Sequence, residues 1–173
     1  ESQLLYKKLR QLRWTDGFVG PYAECFCTLI SKLERGRSLR EVVEIMPHNE
    51  GEFQLIDVLN AMVNLGLHAE RRKLRAGEKV QTPALVLLKS GPWGQVRPAV
   101  ILEIKEDGEQ LLATLFESGA ETLRTVDLNN TTELRRKTVY IFQKWSGQKE
   151  ESASLLRAGA GFGWFRAFAI RFY

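Results

Sequence analysis

Residues 21–36, PYAECFCTLISKLERG, decide the fold. Pro21 suits the first turn of a helix, where a missing N–H leaves no bond unmade, and Gly36 suits the residue just past the last turn. Between them Phe26, Leu29, Ile30 and Leu33 recur at helical spacing, so one face of this helix is apolar and has to be covered. Upstream, LLYKKLRQLRW (4–14) sets Leu5, Leu9 and Leu12 at helical spacing among cations, and Thr15-Asp16-Gly17 then breaks the pattern; the segment reads as an arm that packs lightly. Downstream, Ser38 followed by Glu41 has the pattern of a capping box opening a short helix, LREVVEIM, which Pro47 stops. Phe53, Ile56, Leu59, Ala61 and Val63 then mark a further helix closed by Gly66.

After Gly66 the period changes toward two. HAERRKL, PALVLLK, RPAVILEI, LLATLFE, ETLRTV and TVYIFQKW follow in turn, separated by Gly, Asp-Gly and Ser-Gly turns, which is the pattern of one mostly antiparallel sheet. Helices first and strands second predict an α+β domain with N-terminal helices packed on that sheet. Residues 146–163 have the Gly, Ser and Ala content of a linker. GWFRAFAIRFY then gathers Trp164, Phe165, Phe168, Phe172 and Tyr173 around Arg166 and Arg171, the composition of an amphipathic helix lying in a membrane interface. The expected layout is an arm at 1–19, a domain at 20–145, a linker at 146–160 and the aromatic helix at 161–173.

A chain of 173 residues with 44% hydrophobic and 27% charged residues can bury one sizeable core, which argues against a disordered segment. The net charge of +4 is too small an excess to select an acidic partner. No apolar run reaches the roughly 20 residues that span a bilayer, and the piece reads as soluble and unexported. Cys25 and Cys27 are separated by one residue, too close to staple a fold by pairing with each other, and point to a reducing compartment.

A thiol nucleophile needs an activated cysteine near a helix start and a histidine on a neighbouring strand. Cys25 and Cys27 lie early in the best helix; Cys27 reads as a core residue and Cys25 as the more open of the two. His48 follows Pro47 in a turn between helices, and His68 lies where the last helix gives way to the first strand, so neither is expected on a central strand and both read as structural or solvated. Two cysteines and two distant histidines match no metal pattern. Gly91-Pro92-Trp93-Gly94 lies between strands and lacks the Lys-Ser/Thr that follows a phosphate-binding loop. Arg71-Arg72-Lys73 and Arg135-Arg136-Lys137 are the basic clusters. Without interleaved aromatics they read as solvated strand edges kept from aggregating, and no nucleic acid is expected.

The order of segments resembles the papain-like peptidase domain at the front of bacteriocin-exporting ABC transporters, and more closely its degenerate relatives in type I secretion. The resemblance spans 20–145 and the tail. It rests on LERG followed by SLREV, on DVLNAMVNLGLHAE, on PALVLLKSG, and on WFRAFAIRFY, which is similar to the elbow helix lying on the inner membrane before the first transmembrane span of such exporters. It implies a papain-like fold in which Tyr22 or Ala23 stands at the nucleophile position, Pro98 at the histidine position, Glu117-Ser118 near the Asp-Pro position, and Gly17 or a neighbour at the oxyanion glutamine. None of these supplies the family's chemistry, so the resemblance implies no catalysis, no metal and no cofactor in this domain. ATP and Mg are then expected only for a full-length transporter, with membrane spans and an ATPase following Tyr173.

The resemblance further implies a domain at the cytoplasmic face of a bacterial inner membrane. It would hold unfolded cargo of the calcium-binding repeat (RTX) kind in a groove drawing on Tyr22, Trp93, Arg97, Pro98 and Phe116. Its partners would be that cargo, the exporter's own membrane and nucleotide-binding domains, and the membrane surface through 161–173. Two other readings stay open: a cysteine peptidase removing double-glycine leaders through Cys25, and a regulatory cap docking on the nucleotide-binding domain.

Overall fold

A computed structural model describes residues 2–11, 17–34, 37–46, 51–75 and 77–144. The chain divides into two compact units, Glu1–Gln143 and Lys144–Tyr173. His48, Leu12, the linker and the aromatic segment 161–173 lie outside the described residues. The described residues run α1 (Ser2–Arg10), α2 (Pro21–Leu33), α3 (Leu39–Ile45), α4 (Leu55–Asn64), β1 (Leu67–Lys73), β2 (Ala84–Ser90), β3 (Gln95–Asp107), β4 (Gln110–Glu117), β5 (Arg124–Asp127) and β6 (Leu134–Lys144). They form an α+β fold with N-terminal helices packed against a mostly antiparallel sheet, consistent with a papain-like arrangement.

Helix boundaries follow local chemistry. Pro21 opens α2 after Gly20, whose φ of +96° is a conformation that favours glycine. Ser38 and Glu41 form the capping box: Ser38 N donates to the Glu41 carboxylate at 2.7 Å and Glu41 N donates to Ser38 Oγ at 3.3 Å. Gln54 N likewise donates to Asp57 Oδ2 at 2.7 Å at the start of α4.

The sheet has the order β1-β6-β2-β3-β4-β5. β2 pairs antiparallel with both β3 and β6, and β4 with both β3 and β5. One face carries Leu85, Val100 and Phe142 into a core shared with Ala23, Phe26 and Leu29 of α2 and Val58 and Met62 of α4. The other face packs on itself: Val86, Leu88, Ala99, Ile101, Ala113, Leu115, Val139 and Ile141 join Leu74, Val80 and Leu128 from the sheet margins. The pairing is interrupted by register shifts between Val86 and Leu88 and between Ile101 and Glu103.

Two details differ from the sequence reading. The N-terminal segment packs tightly: α1 lies against α2 and α3, with Leu9 fully buried and the Tyr6 ring 5.9 Å from Phe18. Ile56, expected on the apolar face of α4, is 51% exposed, because Val58, Leu59, Ala61 and Met62 already fill that interface.

Candidate functional site

Tyr22, half-buried in the first turn of α2, lies near Tyr140 of β6 and Arg135 at the start of that strand. Burial raises its phenol above the ordinary tyrosine range; Cys25 and Tyr140 add to the rise and Arg135 opposes it. The side chain is a neutral hydrogen-bonding group at physiological pH. Ala23 beside it is wholly buried.

Cys25 and Cys27 are both fully buried, which corrects the expectation that Cys25 is open. Every residue from Cys25 to Ile30 is buried, because the sheet covers one side of α2 and the other helices cover much of the rest. Burial pushes both thiols far above their ordinary range, and the Glu24 carboxylate pushes them further. A thiol held protonated in a dry core is a poor nucleophile. His68 lies on β1, the sheet edge, partly buried.

On the strands, Phe116 pairs in register with Val100 and packs against the helical core, and Pro98, two residues before Val100, is buried on that same side. Arg97 and Glu117 alternate onto the opposite face with Ala99. There Glu117, 8% exposed, accepts from Arg97 at 2.8 Å and from Arg124 at 2.7 Å. Arg124 also donates in bidentate fashion to Glu133, at 3.0 and 2.6 Å. That bond holds the Glu133 carboxyl below its usual range and the Arg124 guanidinium above its own. Replacing Glu117 by Ala leaves two facing guanidinium groups without their shared carboxylate. The expected loss is about 2 kcal/mol, less than for a wholly buried pair because both arginines reach solvent, measured as a shift of the urea midpoint. An unchanged midpoint would show that the cluster is a solvated surface feature.

Trp93 stands at the tip of the β2–β3 hairpin, 88% exposed. The structure therefore separates the residues that the resemblance gathered: Tyr22, Pro98 and Phe116 on the helical side, Arg97 and Glu117 on the other face, and Trp93 at the end of the sheet.

Along the flank of α2 away from Tyr22 runs an open groove. One hollow of about 610 Å³ is lined by Tyr6 of α1, Glu24 and Thr28 of α2, and Phe116, Gly119 and Glu121. A second, of about 440 Å³, shares Thr28, Phe116 and Glu121 and continues to Leu102 and Leu123. Gly119 N donates to Glu24 Oε2 at 3.3 Å and ties the loop after β4 to the helix. Of the residues singled out in the sequence, Phe116 alone lines both hollows. Glu24, Thr28 and Ser31 escaped notice, although their spacing sets a polar stripe on an otherwise apolar helix, a signal that was available. Among the described residues no group of His, Cys, Asp and Glu converges to hold a metal ion, and no helix is long and apolar enough to cross a membrane.

No family model matches this chain, and no curated protein sequence matches it. Among solved structures it is similar to the N-terminal peptidase C39 like domain of the toxin secretion ATP-binding protein from Vibrio parahaemolyticus. The TM-score is 0.41 at 18% identity, over 64% of this chain and 85% of that one. The likeness is distant and partial.

Proposed function

We propose that this chain is a noncatalytic domain of a type I secretion ABC exporter that holds unfolded protein cargo before export. The groove along α2 carries the reading. At about 610 Å³ its larger hollow is of ligand-binding size, and its walls come from both the helical layer and the sheet side. Phe116 supplies an aromatic wall, and Leu123 at 56% exposure supplies an apolar rim. A folded cargo hides its apolar side chains and backbone edges; an unfolded segment offers both. Tyr22 and Pro98, at the positions where the resemblance expects nucleophile and base, carry no such chemistry at neutral pH, which favours retention over cleavage. In this reading the partners are the unfolded cargo and the exporter's membrane and nucleotide-binding domains at the cytoplasmic face of the inner membrane, and ATP belongs to those other domains.

The test is an NMR titration with the secreted protein encoded beside this one, denatured in one sample and folded in the other, followed by mass spectrometry. Shifts at Thr28, Phe116, Gly119 and Leu123 with the denatured sample only, and an intact cargo afterwards, are the expected result. Cleaved cargo would instead favour a leader peptidase. Shifts with neither form, together with binding to the nucleotide-binding domain, would favour a docking cap.

A further inference from the structure

The two basic clusters are far apart in the sequence but adjacent in the fold, because β6 lies between β1 and β2. Leu74 N, just after β1, donates to Lys137 O at 2.7 Å, so Lys73 ends beside Lys137. On the other side Leu88 pairs with Leu134 and Lys89 N donates to Glu133 O at 2.7 Å, which sets Lys89 across from the residues that lead into the second cluster. Between the pairs Val86–Val139 and Leu88–Leu134 the register shifts, and β6 bulges through Arg135-Arg136-Lys137. Arg136 and Lys137 take φ of +54° and +48°, a left-handed conformation that residues with a Cβ rarely adopt. All three bulge residues are exposed, as are Lys73 and Lys89, and among the described residues no carboxylate pairs with any of the five. The acids at this end, Glu70, Glu78 and Glu133, are engaged by Arg72 and Arg124. Trp93 projects from the same end of the sheet, on a four-residue turn whose Gly91 and Gly94 both have φ of +69°.

We propose that this end of the sheet, Trp93 with Lys89 and the Arg135–Lys137 bulge, docks on an anionic membrane surface. The shape favours a bilayer over the other anionic partners. A hairpin tip and a bulge are convex, whereas an extended acidic peptide is held in a groove or along a sheet edge. Single-stranded nucleic acid wants several aromatics in a row among the cations, and Trp93 stands alone here as an exposed aromatic among the described residues. A single indole at a protruding tip, with unpaired cations at the same end of the sheet, instead suits the headgroup layer: the ring enters the interface while the cations meet lipid phosphates.

The test is flotation of the full chain with phosphatidylcholine vesicles and with vesicles in which about a third of the lipid is phosphatidylglycerol. Residues 164–173 have interfacial composition of their own, so the comparison is among full-length variants that share them. Trp93→Ala is expected to lower partitioning into anionic vesicles about ten-fold. Arg136→Gln with Lys137→Gln is expected to lower it about thirty-fold, and Lys89→Gln, on regular strand backbone, about five-fold. High salt should abolish the difference between the charge variants and the parent. Equal partitioning of parent and variants, or equal partitioning into neutral vesicles, would overturn the proposal. Tighter capture of a single-stranded oligonucleotide than of anionic vesicles, lost in the same variants, would overturn it in favour of nucleic acid.

Discussion

A thiol reagent added to the native protein at neutral pH is expected to label Cys25 and Cys27 at least about a thousand-fold more slowly than a free cysteine, and to label both promptly once denaturant opens the fold. Both side chains are fully buried in α2, and burial holds both thiols protonated. Modification therefore has to wait for an opening that costs about 4 kcal/mol or more, the equivalent of that thousand-fold factor. The same burial makes stability depend on pH, with a definite sign. A group whose folded pKa is raised favours the native state below its unfolded pKa, and that contribution is lost as pH rises. In the unfolded chain the thiols ionise above roughly pH 8.5 while the native ones stay neutral, so stability should fall by about 1.4 kcal/mol per pH unit for each cysteine. Urea midpoints measured from pH 8 to pH 10 should show this fall, and a Cys25→Ala, Cys27→Ala variant should lose that part of the slope. Prompt labelling of native Cys25 would contradict its burial and revive the cysteine peptidase reading.

Phe26→Ala should cost about 4 kcal/mol, a large share of the roughly 5–15 kcal/mol that keeps such a domain folded. Phe26 is wholly buried, 6.0 Å from Phe18 with the rings edge-on at 81°, and 5.5 Å from Phe53. Phe18 and Phe53 also meet each other, at 4.9 Å and 74°. The cluster joins the loop before α2, α2 itself and the loop before α4, so truncating the ring that α2 contributes leaves a cavity that three segments would have to move to fill. Denaturant melts measure the loss, and the cargo titration adds a functional readout, because Glu24 and Thr28 line the groove from the same helix. A loss below about 1.5 kcal/mol would mean that the aromatic cluster repacks freely and does not position α2.

The capping box at Ser38 and Glu41, the start of α2 at Pro21 and the six strands were legible because each depends on residues within a few positions of one another. A cap, a turn and an alternating face announce themselves locally. Cys25 was misread for the same reason. Helical spacing says which face of α2 is more apolar, but it does not say that α1 returns to cover the helix with Leu9. Of the groove only the polar stripe of Glu24, Thr28 and Ser31 on α2 was legible, since its other walls, Tyr6 and Phe116, come from distant parts of the chain.

By itself, the sequence determined where the helices and strands form and which of their faces are apolar, and hence the α+β class, because backbone hydrogen bonding and side-chain periodicity act over a few residues. The tertiary structure alone decided that β6 pairs between β1 and β2, that two basic clusters distant in the chain lie on neighbouring strands, that both thiols are sealed, and that a groove opens along α2. Those outcomes depend on how apolar faces far apart in the chain are buried together, and many pairings satisfy the local pattern equally well until the whole core is packed.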